Sequence, residues 1–136
     1  MYPNPSVQLS TSTYPVSPGD TLTAEVSRSG SNYTLSLSSS RGWNFSTVQS
    51  GSFSNASAEW IAEAPSSCSF TCTVLPLANF GTVNFSNSTA NGATIGSYGS
   101  SVWVDITMVT SGGTTKAQPS ALNGSGNGFS DTWHHS

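Results

Sequence analysis

Apolar side chains recur at every second position in several short segments of this chain. Leu22, Ala24 and Val26 alternate with polar residues, and residues 102–108 repeat the pattern more cleanly than any other segment. Clusters rich in Gly, Pro and Ser, such as residues 17–20 and 111–113, separate these segments. A period of two is typical of β-strands that bury one face, whereas helices repeat every 3.6 residues or so. The pattern therefore predicts a chain built from β-strands.

The spacing of these segments predicts the fold class. Short strands separated by turns about every 8 to 12 residues are typical of an antiparallel β-sandwich or barrel. We find neither a linker nor an internal repeat, so residues 1–136 are expected to form a single domain. The predicted strands, of which the first two form a hairpin, are residues 21–26, 33–37, 43–48, 57–63, 80–85, 102–108 and 129–133.

Charged residues make up only 7% of the chain, against about 25% in typical domains. The three basic residues, Arg28, Arg41 and Lys116, are too few for the cationic surface that nucleic-acid binding needs. The apolar runs are too short to span a membrane. The first residues lack the basic and apolar regions of a signal peptide. We therefore expect neither a nucleic-acid nor a membrane partner, and any secretion signal would lie outside this chain.

The small number of carboxylates predicts tolerance of acid. Full protonation of the six Asp and Glu residues moves the net charge from -3 to the +5 carried by three Lys or Arg and two His residues. An average chain of this length would reach roughly +17. Charge repulsion and the loss of carboxylate pairs unfold most proteins in acid, and this chain has little of either to lose. The alternative explanation is that Ser- and Thr-rich secreted β-proteins commonly share this composition.

Two cysteines, Cys68 and Cys72, are separated by three residues in the sequence. A zinc site would need two further ligands, and the only histidines, His134 and His135, are adjacent at the end of the chain. We therefore expect no metal. A local disulfide between the cysteines fits the extracellular character of the composition, and it would stabilise the fold by only about 2 kcal/mol because its loop is short.

Glu59 and Glu63 lie on one predicted strand and share a face with Ile61. At about 3.4 Å per residue, the two positions are roughly 13–14 Å apart along the strand. That separation is too long for two carboxylates that share a proton, and too long for a glycosidase pair. Any chemistry would therefore pair one glutamate with a group elsewhere. The alternative is a solvated sheet face that carries two glutamates.

Residues 58–65 (Ala-Glu-Trp-Ile-Ala-Glu-Ala-Pro) and 75–85 (Leu-Pro-Leu-Ala-Asn-Phe-Gly-Thr-Val-Asn-Phe) together resemble the glutamic peptidase family, the eqolisins. The two segments form a fairly specific pair, although either alone would be a weak signal. The resemblance covers nearly the whole chain, since it extends to residues 1–3, 16–22, 105–109 and 129–133.

The resemblance implies a fold and a chemistry. The family consists of secreted, acid-active endopeptidases built as a sandwich of two large antiparallel sheets, a concanavalin-like jelly roll. Their glutamate acts as general base on the attacking water, while a glutamine amide stabilises the oxyanion. A glutamate carboxyl, with a reference pKa near about 4.3, is partly ionised in acid. The resemblance places Glu59 at the catalytic position, with Glu63 and Tyr2 in supporting or substrate-binding roles, a polypeptide as substrate and no cofactor.

The chain departs from the family at the glutamine. In the family this residue lies upstream of the Tyr-Pro strand with which residues 1–3 align, and Gln8, Gln49 and Gln118 do not match its motif. A stand-in role for Gln49 is the one alternative within the chain. We therefore expect residues 1–136 to be the C-terminal part of such a domain, incomplete on its N-terminal side and inactive in isolation, and a monomer when complete.

The competing function is a non-catalytic extracellular β-sandwich that binds carbohydrate or protein. Trp43, Trp60, Trp103 and Trp133 are able to stack on sugars, although tryptophans in strands more often fill a core. The position of Glu59 separates the two functions. Burial at the floor of a concave, apolar face would favour a peptidase, whereas a wet convex face would favour binding.

Overall fold

A computed structural model of the chain describes residues 8–68 and 70–136. Tyr2 therefore lies outside the described residues. The chain divides into two compact units, Met1–Asn55 and Ala56–Ser136, and we describe each by itself. We call them the N-terminal unit and the C-terminal unit. The single-domain organisation stays a prediction.

The N-terminal unit contains one three-stranded antiparallel sheet. Its strands are β1 (Leu22–Ser29), β2 (Asn32–Ser39) and β3 (Asn44–Ser50), in the order β1-β2-β3. Ser29 pairs with Asn32, so β1 and β2 form a tight hairpin as predicted. Gly30 sits in the hairpin turn with φ of 61°, a left-handed conformation that glycine adopts without steric cost.

Aromatic side chains pack on this sheet. The ring of Tyr14 meets the rings of Trp43 and Phe45 edge-on, at centroid distances of 5.5 and 5.6 Å. Tyr33 is the only buried residue among residues 8–55, and its hydroxyl donates a hydrogen bond of 2.8 Å to Asn55 Oδ1. Aromatic contacts and one buried tyrosine thus stabilise the unit, since most of its aliphatic side chains are at least partly exposed.

The C-terminal unit contains a four-stranded antiparallel sheet in the order β6-β11-β10-β9, two small hairpins, β4 with β5 and β7 with β8, and a short 3-10 helix at Ile95–Tyr98. The eight strands of this unit are β4 (Ser66–Cys68), β5 (Cys72–Val74), β6 (Thr82–Phe85), β7 (Thr89–Ala90), β8 (Ala93–Thr94), β9 (Met108–Val109), β10 (Thr115–Pro119) and β11 (Phe129–Trp133). Every strand pair in the described residues is antiparallel, so the prediction of an all-β chain is confirmed.

The buried core of the chain lies against the four-stranded sheet. Ala64, Leu77 and Ala117 form it, and Phe80, Met108 and Trp133 pack around them. The indole Nε1–H of Trp133 donates a hydrogen bond of 3.3 Å to the Leu77 carbonyl. This bond ties the loop before β6 to the end of β11, so the polar edge of the indole is satisfied while its rings stay in the core.

The predicted strand at residues 102–108 is wrong for most of its length, because only Met108–Val109 forms a strand. Val102, Val104 and Ile106 are all more exposed than buried, while Trp103 on the other side is half-buried. Alternation determines which side chains share a face, but a strand also needs a neighbouring backbone to pair with. No strand in the described residues pairs with residues 101–107.

Candidate active site

Residues 57–65 carry both candidate glutamates and lie between β3 and β4; we call them the glutamate segment. The predicted strand at residues 57–63 is wrong, because no strand is present between Ser50 and Ser66 in the described residues. Alanine and glutamate, which dominate the segment, are poor strand formers, and no neighbouring strand pairs with it. The candidate site is therefore an irregular segment rather than a strand of a sheet.

The segment nevertheless keeps the predicted alternation of its faces. Glu59, Ile61 and Glu63 are exposed, whereas Trp60 and Ala62 between them are half-buried. Ala64 continues the inward row and is 6% exposed in the core. An extended chain directs successive side chains to opposite sides, so packing on one side leaves the other accessible. The structure thus places the two glutamates together with Ile61 on the accessible side.

The side chain of Glu59 has one polar contact. The hydroxyl of Ser57 donates a hydrogen bond of 2.9 Å to Glu59 Oε1. Neither Glu59 nor Glu63 forms an ion pair within the described residues. The carboxylate of Glu59 is therefore held by a neutral neighbour two residues away, and it lies open to solvent. A Ser-x-Glu spacing is the signal by which the sequence could have indicated this contact.

The three glutamines fall in different parts of the fold. Gln118 is exposed on β10, and it belongs to the same unit as Glu59. Gln8 and Gln49 belong to the N-terminal unit, where Gln49 lies on β3 opposite Tyr33. The stand-in role of Gln49 stays a prediction.

The two predicted disulfide positions lie in the hairpin that follows the glutamate segment. Cys68 is opposite Cys72 in the register of β4 and β5, and Cys72 is disulfide-bonded. Elsewhere in the described residues, no group of three or more His, Cys, Asp or Glu side chains is arranged to hold a metal ion. Nor does any helix of this part of the chain have the length and apolar character needed to cross a membrane.

Two clefts lie on the N-terminal unit. One, of about 430 Å³, runs over all three strands of the sheet and includes Glu25 and Phe45 in its lining. The other, of about 330 Å³, is mainly apolar and is lined in part by Leu9, Tyr14 and Trp43. Neither cleft includes a residue of the glutamate segment.

A third carboxylate, Asp131, was not singled out from the sequence. It is 8% exposed, and it lies on β11 within the predicted strand at residues 129–133. A period of two places it on the same side as Phe129 and Trp133. This position in the period-two pattern was the sequence signal that could have identified Asp131, since a carboxylate on an apolar strand face is rare unless it has a special role.

Comparison with known proteins gives these observations a context. The structure is similar to the crystal structure of aspergilloglutamic peptidase from Aspergillus niger, with a TM-score of 0.67 and 25% sequence identity over 88% of this chain and 69% of that chain. The fold is accordingly that of an antiparallel β-sandwich of the glutamic peptidase class. The sequence matches the Peptidase A4 family over residues 1–127, and the chain belongs to that family. Among curated protein sequences, none is similar enough to this chain to count as a match.

Proposed function

We propose that this chain acts in the hydrolysis of polypeptides by the glutamic mechanism, as a secreted, acid-active endopeptidase in which Glu59 is the general base. Glu59 would remove a proton from the water that attacks the scissile carbonyl carbon, and it would then give that proton to the departing amine. Membership of the peptidase family supports the reaction class. The position of Glu59 in the residue 58–65 segment, which resembles the family's catalytic segment, supports its role.

The observation that carries the proposal is the match of residues 1–127 to the Peptidase A4 family, since the solvent exposure of Glu59 by itself favours the binding alternative. A general base has to reach both a water molecule and an extended substrate. Burial of Ala64 anchors the segment, while Glu59 and Ile61 remain on its open side. Ser57 occupies one carboxylate oxygen of Glu59, and the other oxygen has no hydrogen-bond partner among the described residues. That free oxygen is available to accept a proton from water.

The mechanism also needs a donor for the oxyanion of the tetrahedral intermediate. An uncharged amide suits this role in acid because it donates a hydrogen bond without titrating. The family resemblance assigns the role to a glutamine whose motif Gln8, Gln49 and Gln118 do not match. We therefore propose that hydrolysis needs this glutamine in addition to residues 1–136.

Two features support action in an acidic, extracellular setting. The chain carries only six carboxylates, so acid changes its charge little. Cys72 is disulfide-bonded, and disulfides persist mainly in oxidising compartments outside the cytosol.

The test is cleavage of an acid-denatured protein, by the chain alone and by the chain joined behind a glutamine-bearing segment of a family member. We expect cleavage by the joined form, with a maximum in acid. Glu59→Gln should lower kcat/KM by about 10²- to 10⁴-fold, as loss of a general base does. Glu63→Gln should cause a smaller loss. Asp105→Asn, which removes an exposed carboxylate of the same unit, is the matched control.

Two results would contradict the proposal. Equal cleavage by the joined form and its Glu59→Gln variant would remove Glu59 from the reaction. Absence of cleavage by both wild-type forms would favour the binding alternative, which gains from the solvent exposure of Glu59 and from the aromatic cleft that includes Tyr14 and Trp43. Binding of soluble oligosaccharides or of intact protein, followed by the fluorescence of Trp43, would then be measured.

A further inference from the structure

Asp131 is a buried carboxyl on the apolar side of the four-stranded sheet. Along β11 it lies between Phe129 and Trp133, and across the sheet it pairs with Val83 on β6 and Pro119 on β10. The residue is 8% exposed. Each of these four neighbours is apolar, and the ring of Phe129 stacks on that of Phe85 at 4.7 Å. A charge at this position would therefore be poorly solvated.

Hydrogen bonding compensates only part of this burial. The backbone N–H of Thr132 donates to the carboxylate. The Oδ1 atom is buried and has no hydrogen-bond partner among the described residues. An ionised carboxylate accepts several hydrogen bonds when it is stable in a protein interior, so this site suits the protonated form better.

Few charged groups surround Asp131. His134, exposed just beyond the end of β11, attracts its negative charge. Lys116 is on β10 at the register shift between Thr115 and Ala117, and it is not among the groups that shift the pKa of Asp131. The strands β6 and β9 carry no charged residue, and neither does the loop of residues 75–80. Glu63, next to the core residue Ala64, is exposed. Burial outweighs the Thr132 and His134 contributions and raises the pKa of Asp131 above 3.8.

We propose that Asp131 is a pH switch of the fold, a carboxyl that is neutral in the native state in acid and that loosens the four-stranded sheet when it ionises as the medium is neutralised. With this switch, the C-terminal unit would be stable only in acidic conditions. It concerns stability rather than catalysis, and it does not depend on the proposed function.

The direction follows from the two protonation states. A carboxyl whose native pKa is raised binds its proton more tightly in the folded chain than in the unfolded chain. Its stabilising contribution is complete below the unfolded pKa, near 3.8, and it is lost as the pH rises through the native pKa. Between those two values, the unfolding equilibrium constant should increase by about tenfold for each pH unit because one proton is released.

The test compares the full chain with its Asp131→Asn variant from about pH 3 to about pH 7. Unfolding by urea is monitored through the amide hydrogen exchange of β10 and β11. In wild type we expect the unfolding equilibrium constant to rise with pH. In Asp131→Asn the part of this rise that comes from ionisation of Asp131 should disappear, so the variant should be more stable than wild type at neutral pH. Asp105→Asn removes an exposed carboxyl of the same unit, and this variant should keep the wild-type slope of the unfolding constant against pH.

Equal pH slopes in wild type and Asp131→Asn would overturn the proposal. If the Asp131→Asn variant fails to fold, a second measurement tests the proposal on wild type alone. Carbon-13 NMR of the Asp131 carboxyl should show a higher titration midpoint in the folded chain than in the urea-unfolded chain. A folded-chain midpoint at or below the unfolded one would also overturn the proposal.

Discussion

The two units of the chain are stabilised in different ways, and their aspartates show the difference most clearly. In the N-terminal unit, Asp20 lies in a loop, where it pairs with Arg41 and accepts a hydrogen bond from the Ser17 N–H. The hydrogen bond from Arg41, followed by that from Ser17, lowers the pKa of Asp20 below 3.8. In the C-terminal unit, burial raises the pKa of Asp131. One carboxyl is thus stabilised as an anion and the other as a neutral acid.

Net charge alone does not determine the response of this chain to pH. The sparse charge predicts general tolerance of acid, but the two aspartates have opposite effects. Acidification should weaken the loop contact of the N-terminal unit, whereas neutralisation should weaken the sheet of the C-terminal unit. The environment of each carboxyl decides the sign.

The largest expected effect comes from the core that distinguishes the C-terminal unit. Leu77 is 4% exposed and packs with Ala64 and Ala117. Leu77→Ala should lower the free energy of unfolding by about 2–5 kcal/mol, because it removes buried methyl groups and leaves a cavity. The hydrogen bond from Trp133 is to the backbone carbonyl, so it survives the substitution. Urea unfolding, followed by hydrogen exchange in each unit, measures the loss.

Leu22→Ala is the matched control in the N-terminal unit. Leu22 begins β1 and is 43% exposed, so the same substitution should cost about 1 kcal/mol or less. Equal losses at the two leucines would contradict the contrast between a unit with a buried core and one without.

A smaller effect is expected at the buried residue of the N-terminal unit. Tyr33→Phe removes the hydroxyl that donates to Asn55 Oδ1 and leaves the ring in place against Phe53. The expected loss is about 1 kcal/mol, the usual contribution of such a hydrogen bond. Tyr14→Phe serves as control, because the Tyr14 hydroxyl has no hydrogen-bond partner among the described residues. A loss at Tyr14 as large as that at Tyr33 would show that the hydroxyl bond is not what matters.

Local sequence rules predicted the faces and turns of the chain well. The hairpin around Gly30 and the strand at residues 129–133 formed as expected, because alternation and a glycine turn act over a few residues. The same rules placed Glu59 and Glu63 on one side of their segment. The period-two alternation that puts Asp131 on the same strand face as aromatic residues was also present in the sequence.

Pairing between distant segments could not be predicted in the same way. Residues 57–63 and 102–107 alternate as strands do, yet they lack strand neighbours among the described residues. Conversely, β10 contains little apolar signal and ends at Pro119, but Ala117 at its centre is 2% exposed in the core. A strand forms where a neighbouring backbone is available, and that availability depends on long-range contacts.

The smallest expected effect tests the acid side of the comparison. Because the pKa of Asp20 is lowered in the folded chain, its contribution is present above the unfolded pKa and is lost as the pH falls through the native pKa. Asp20→Asn should therefore weaken the N-terminal unit slightly at neutral pH and flatten its loss of stability as the pH falls below the unfolded pKa near 3.8. Arg41→Gln should reproduce this flattening, since it removes the main cause of the lowered pKa. Hydrogen exchange in β1 and β2 reports the change, with Asp105→Asn as control. An unchanged acid slope in Asp20→Asn would mean that an exposed ion pair contributes too little to set the response of this unit, and that of the two aspartates only the buried one affects stability.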